Sequence, residues 1–307
     1  MVKLLKIARL QFLIVGLSLF VLGALVAIII GTSFSLGRLL VGYLVILPAQ
    51  LSVHFSNDYF DFAYDRPGGP TLISGGGGVL LEHPELREPV KWIAIGLILF
   101  SIAMGIFFMR TYAFPFWIMG FVALGNLAGW CYSAPPFRLS HRGLGELCYT
   151  FAAGFLVPAM GYLTIRGALD TGGIFFLVPL TLYGLVSILS VEIPDMEDDR
   201  LGNKRTWVAV RGRGFGFMVI GWLLLAVTGY FFFFHRFYPR QLPLDFRIVG
   251  YLSLLPLLPG LLGMIMKPAE KQPAAKIATW IVITLAAFSI FVDGYLLYLA
   301  SRLFKWN

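Results

Sequence analysis

Charge is what this chain has least of. Only 13% of its 307 residues are Asp, Glu, Lys or Arg, against about 25% in an average soluble domain. So few charged groups cannot cover a fold that meets water on every side, and 58% of the residues are hydrophobic. The composition excludes an ordinary soluble domain and implies a polytopic membrane protein. Cysteine is nearly absent: Cys131 and Cys148 lack metal-ligand spacing and read as buried free thiols. His54, His83, His141 and His235 are too dispersed for a zinc site. There is no continuous basic stripe despite a net charge of +8. Bases scattered over short loops exclude nucleic acid as a partner and fit a membrane surface and an anionic substrate.

Long apolar runs, by contrast, are abundant. Stretches of about 20 apolar residues, the length that spans a bilayer, fall near 10–30, 36–56, 91–109, 113–133 and 144–166. Four more fall near 173–194, 214–234, 246–266 and 275–301. The first follows Lys3, Lys6 and Arg9. It exceeds the roughly 7–15 residues of a signal-peptide core and has no small-residue cleavage site, so it reads as a retained helix. The sequence therefore predicts an all-α fold of nine transmembrane helices, forming a single domain over 1–307. A cytoplasmic N-terminus puts two thirds of the 24 Lys and Arg inside, which is the orientation the positive-inside rule favours. The expected location is the cell membrane.

The acids gather at two points on that inner side. Asn57, Asp61 and Asp65 stand at i, i+4 and i+8, so a helix projects them from one face. Asp195 and Asp199 repeat the step, with Glu192 one turn earlier. Stacked like charges destabilise a helix unless something neutralises them. Solvated ends of membrane helices are the plain reading. The repeated spacing on one side of the membrane favours another: two clusters of hard oxygen ligands holding a magnesium-bound diphosphate. Basic residues stand beside them. Arg138 and Arg142 follow Pro135 and Pro136, while Lys204 and Arg205 follow the second cluster; Arg9, at the start of the first span, is a further phosphate candidate. His54 lies one turn before Asn57 and either lines the same cavity or packs between helices. The segment 57–90 carries Gly68-Gly69-Pro70 and Gly75–Gly78, a lid over the site or a slack linker. Both clusters end a helix, four helices apart, which suggests a pseudo-duplicated bundle.

At these residues the chain resembles the UbiA-type intramembrane prenyltransferases. Asn57, Asp61 and Asp65 match that family's first motif, and Asp195 and Asp199 its second. Tyr132–Leu139 followed by Arg142–Glu146 looks like its loop between helices 4 and 5. The run Glu192–Arg200 with Lys204-Arg205-Thr206 is most similar to the naphthoate, menaquinone-forming branch. Ser140 stands where many relatives carry lysine, and Val191 where that branch often has asparagine. The resemblance implies nine helices around a central cavity open to lipid, a cytoplasmic polar cap and two Mg²⁺ ions. The implied donor is a polyprenyl diphosphate such as geranylgeranyl diphosphate, and the implied acceptor is an aromatic quinone precursor, or else a glycerol-phosphate ether lipid. In such a site Asp61 and Asp195 are catalytic through the metal, and Tyr132 steadies an allylic cation through its ring face. Asp58, Glu192 and Asp198, with His54, support the ligands or bind the acceptor. Two other classes compete: a secondary transporter, whose acids would lie near the bilayer midplane, and a phosphatidyltransferase, whose acids would share one segment.

Overall fold

The computed structural model describes residues 2–62, 78–237 and 244–303. Among them the chain is helical throughout, with no strand. A short α1 (Val2–Ala8) breaks at Arg9, φ 47°, into α2 (Leu10–Ile29), and α3 (Leu36–Asp61) follows. Next come α4 (Val79–Glu82), α5 (Arg87–Thr111), α6 (Ile118–Ser133) and α7 (Gly145–Tyr149). A π-helical stretch, Thr150–Leu156, joins α7 to α8 (Val157–Arg166). The second half holds α9 (Thr171–Leu201), α10 (Trp207–Arg211), α11 (Arg213–Phe237), α12 (Phe246–Leu252), α13 (Leu254–Met266) and α14 (Lys271–Leu303).

Local chemistry sets the ends that matter for the site. Ser35 caps α3 by accepting the Arg38 backbone N–H at 3.4 Å, and Asp170 caps α9 from Gly173 at 3.1 Å. Asp170 also accepts from Tyr162 at 2.5 Å and Arg166 at 2.9 Å. Burial pushes its carboxyl up, but these donors together hold it below the usual carboxylate range. Gly167, at φ 84°, stops α8 in a left-handed conformation that only glycine adopts freely.

Each of the nine apolar stretches coincides with helix, but length separates them. Seven of the described helices are long and apolar enough to cross a membrane, and α12 with α13 adds an eighth if their 41° bend is one broken span. The ninth, α6, has 16 residues and is shorter than a hydrocarbon core requires, so length alone does not reach the expected nine. Both acid-bearing helices outrun their apolar stretches: α3 continues to Asp61 and α9 to Leu201. The segment 57–90 is thus partly helical at both ends, and the glycine runs before Gly78 lie outside the described residues. Large apolar side chains such as Leu99, Phe116 and Ile265 stand exposed around the bundle, which suits hydrocarbon rather than water.

One backbone crossing joins two of the buried cores. A Cβ on Gly23 would sit 1.9 Å from the Pro158 carbonyl oxygen, and one on Gly161 would sit 1.9 Å from that of Phe20. Small residues let α2 and α8 touch backbone to backbone. Around them one core is built from α2, α8, α9 and α11–α14, and another from α2, α3, α5, α6 and α8. Gly161→Val should destabilise the bundle by about 1–3 kcal/mol, read as a lower thermal midpoint in detergent. Gly294→Ala, where nothing lies within 4 Å, should leave the midpoint unchanged.

Candidate active site

Between these cores lies a cavity of about 650 Å³. On α3 it is lined at helical spacing by Ile46, Ala49, Gln50, Val53, His54, Asn57 and Asp61, and on α9 by residues running from Leu180 to Asp199. Both helices become polar toward their C-terminal ends, so the cavity is acidic at one end and apolar below, where Leu13, Leu19, Leu285 and Phe288 close it.

The structure brings most of the expected residues together. Asn57, Asp61, Asp195, Asp198, Asp199, Glu192, His54, Tyr132, Lys204 and Arg9 all line this one cavity. Asp65 lies outside the described residues. Asp61 Oδ2 accepts from Lys204 Nζ at 2.8 Å. Asn57 Oδ1 accepts from the Ser133 hydroxyl at 2.7 Å, and Asp199 Oδ2 from Thr206 at 3.1 Å. His54 stacks on Phe12, ring centres 6.0 Å apart. Asp58 does not line the cavity; it forms a buried ion pair with Arg9. Asp198 meets Lys271 at 3.0 Å in an exposed pair.

Three of the five phosphate candidates stand apart from the wall. Arg142 is exposed and donates to the Pro136 carbonyl at 2.8 Å. Arg205 is exposed, and Arg138 is half-buried behind the wall. Sequence position put all three close to the acid clusters, but it could not tell which way a loop arginine turns. Ser140, at the position noted for lysine in relatives, is buried in the wall; it donates to the Tyr132 carbonyl at 2.9 Å. Next to it, burial lowers the pKa of His141, the Asp61 charge opposes that shift, and the Lys204 and Arg138 charges add to it.

Several participants were not singled out in the sequence, although some stand in segments that resemble the family's. Ser133 orients Asn57 from a distant helix, and Thr206 orients Asp199 from the turn after α9. Gln50 reaches the cavity with Oε1 unpaired. Glu146, 1% exposed, accepts the Trp207 backbone N–H. A glutamate one residue into a helix looks like an ordinary helix-start acid, and only its burial marks it.

The donor set fits Mg²⁺. Asn57, Asp61, Asp195 and Asp199 supply hard oxygens, and Asp61 Oδ1 is buried with no hydrogen-bond donor. Among the described residues no three His, Cys, Asp or Glu side chains converge closely enough to cage an ion unaided. An ion here takes its remaining ligands from water or a bound anion, which is how Mg²⁺ usually binds: a carboxylate or two together with phosphate oxygens.

The family model described as "UbiA prenyltransferase family" matches residues 17–288. The chain is similar to a 1,4-dihydroxy-2-naphthoate octaprenyltransferase of Bacillus subtilis (strain 168), 22% identical over 164 residues, covering 53% of this chain and 51% of that one. It is also similar to a probable homogentisate phytyltransferase 2, chloroplastic, of Oryza sativa subsp. japonica, 29% identical over 151 residues, covering 47% and 37%. It thus spans about half the length of the first of these curated relatives and less of the second. A UbiA homolog from Archaeoglobus fulgidus bound to DMAPP and Mg²⁺ has a TM-score of 0.67 at 16% identity, covering 97% of this chain and 99% of that one. The apo structure of a UbiA homolog from Aeropyrum pernix K1 has 0.65 at 15%, covering 92% and 98%. At such identities the likeness is one of fold.

Arg9→Ala takes the guanidinium from the buried Asp58 carboxylate and should cost about 3–5 kcal/mol, measured as a fall in thermal midpoint. Adding Asp58→Asn should restore part of it; an unchanged midpoint in the single variant would show that the pair does not hold α2 to α3.

Proposed function

Because the chain belongs to the UbiA prenyltransferase family, we propose that this integral membrane protein transfers a prenyl group from an allylic polyprenyl diphosphate to an aromatic, quinone-precursor acceptor. The observation that carries this reading is the junction of two acid sets from α3 and α9 at the polar end of one otherwise apolar cavity. An amphiphile with an anionic head and a long apolar tail matches that profile. Geranylgeranyl diphosphate is the donor we expect, reached from the lipid, with the acidic mouth and the N-terminus facing the cytoplasm of a cell-membrane protein. The named activities of the two curated relatives, on a naphthoate and on homogentisate, support an aromatic acceptor.

Asn57, Asp61 and Asp65 would hold one magnesium ion and Asp195 and Asp199 the other, supplying charge neutralisation for the departing diphosphate. Lys204 and Arg9 offer donors to the diphosphate oxygens from the wall. Arg138, Arg142 and Arg205 are nearer the surface, where they attract the anion and serve its release. Tyr132, in the same wall, is the ring we assign to stabilising positive charge at the allylic carbon. His54 and Glu192, both in the wall, are the residues we assign to the acceptor. Asp58 and Asp198 act one step back, by fixing Arg9 and Lys271. The apolar wall below excludes water, so that the ring carbon rather than water captures the allylic centre.

The test is transfer from radiolabelled geranylgeranyl diphosphate, with and without Mg²⁺, to 1,4-dihydroxy-2-naphthoate, homogentisate, 4-hydroxybenzoate, 1,4-dihydroxynaphthalene and geranylgeranylglyceryl phosphate. A magnesium-dependent product on an aromatic is expected. Labelling of the glyceryl phosphate alone would replace the aromatic acceptor with an ether lipid. Asp61→Asn and Asp195→Asn should each lower kcat by about 10²–10³-fold in protein that elutes as wild type does. Full activity in either would remove the two-cluster site.

A further inference from the structure

The foot of the cavity carries a polar contact that the scheme above leaves unused. Ser289 of α14 lines the cavity there, beside Leu19 of α2. Its hydroxyl lies 2.7 Å from that of Ser18, and Ser18 donates to Asp293 Oδ2 at 2.5 Å. A hydroxyl has one proton, so Ser18 spends its own on Asp293 and accepts that of Ser289. Both serines are buried. A serine in an apolar helix often returns its hydroxyl to its own backbone, as Ser190 does to Val186 at 2.7 Å. Ser18 and Ser289 instead bridge α2 to α14. Asp293 stands inside the apolar span of α14, with its Oδ1 buried and without a donor. An acid at such a depth is costly, and its retention points to function.

The wall ends at this bridge. Its deepest residues are Leu19 on α2, Ile46 on α3, Val157 on α8, Leu180 on α9 and Ser289 on α14. Just beyond them Leu22 and Val292 are closed into the larger core. Ile46 lies fifteen residues before Asp61, and Leu180 fifteen before Asp195. At about 1.5 Å per helical residue, both counts put the floor about 22 Å from the acids. A prenyl tail has about four chain bonds per five-carbon unit, which at about 1.5 Å each extend it by about 5 Å.

Resting on the prenyl-transfer reading, we infer that the Ser18–Ser289–Asp293 bridge is the length stop of the tail channel, limiting the donor to about four isoprene units. A longer tail meets the floor and has to part α2 from α14. That would leave two hydroxyls and a carboxyl without partners in apolar surroundings, which opposes it. Leucines in the same place would give way at little cost, since a prenyl tail is as apolar a neighbour as another leucine.

The test uses full-length protein in nanodiscs with Mg²⁺, the acceptor panel above, and geranyl, farnesyl, geranylgeranyl and octaprenyl diphosphates. Product and released diphosphate give kcat/KM for each length. Wild type should favour geranylgeranyl over octaprenyl diphosphate by about tenfold or more. Ser289→Leu, which fills the floor, should cut kcat/KM for geranylgeranyl diphosphate about tenfold more than for geranyl diphosphate. Ser18→Ala removes the bridge and should raise the octaprenyl-to-geranylgeranyl ratio by about tenfold. Asp293→Leu should raise that ratio likewise, whereas Asp293→Asn, which keeps an oxygen for Ser18, should hold it near the wild-type ratio. A merely structural role would lower every length alike. If Ser289→Leu does not fold, Leu19→Phe, adding bulk at the same level, should shorten the profile in the same way. Equal use of octaprenyl and geranylgeranyl diphosphates by wild type, or one length profile shared by wild type and all variants, overturns the inference and leaves prenyl transfer standing. Wild-type protein that neither labels an acceptor nor releases diphosphate from any donor overturns the transferase reading and the inference with it.

Discussion

Carboxylates inside an apolar bundle are costly unless an opposite charge or a hydrogen-bond donor meets them, and this requirement governs the polar end of the molecule. Asp61 is held by Lys204, a residue 143 positions away; Asp58 is held by Arg9, and Glu197 by Arg213. Each pair ties one helix to another segment: α3 to the chain after α9, α2 to α3, and α11 to α9. The charges that make the site therefore also fix the relative positions of the helices carrying it. Removing one member of a pair is costlier than never having built it, because the partner keeps its desolvation cost.

The apolar frame makes this pairing geometrically possible. α2 and α8 touch through Gly23 and Gly161 with no side chain between them, and α2 contributes to the cores of both halves. Two helices in backbone contact leave little freedom for the rest of the bundle. α3 packs on α8 from one side and α9 on the π-helical segment preceding α8 from the other. The space they leave is the cavity, and its polar end is where both helices run past their apolar stretches. Because a membrane gives little hydrophobic drive for helix association, close packing of small residues bears more of this load than it would in water.

What the sequence revealed follows from the range of each signal. The i, i+4 repeats at Asn57 and Asp61 and at Asp195 and Asp199 are local, so they could be read directly, and so could the apolar runs. That the two repeats line one cavity is a property of the fold, which spacing alone could only suggest. The short span of α6 and the bend between α12 and α13 were hidden because a run of apolar residues shows neither where a helix starts nor where it breaks. Ser133, Thr206 and Glu146 stand in segments that resemble the family's, but their individual roles were missed for a different reason. Each acts through a partner 7 to 76 residues away, and none belongs to a periodic pattern. The loop arginines illustrate the reverse error: positive charge near an acidic cluster is legible, but the direction of Arg142 and Arg205 is decided by loop geometry that composition does not encode.

The surplus of acids at the cavity's polar end shapes affinity as well as catalysis. A cavity lined by more acids than bases repels a bare anion, so the proposed diphosphate would enter favourably only together with cations held by residues such as Asp61 and Asp195. Metal and head group would then each raise the affinity for the other by linkage. The apolar lower wall adds an attraction that depends on tail length and is indifferent to charge. In the proposed reaction that division would change sides: the tail would go with the product, while the head group would be left at the polar end. The released diphosphate, at the acidic end of the cavity, would be the part free to leave toward water, and the elongated apolar product the part free to leave toward lipid. Such a site would separate its two products by solvent, because its two ends differ in charge.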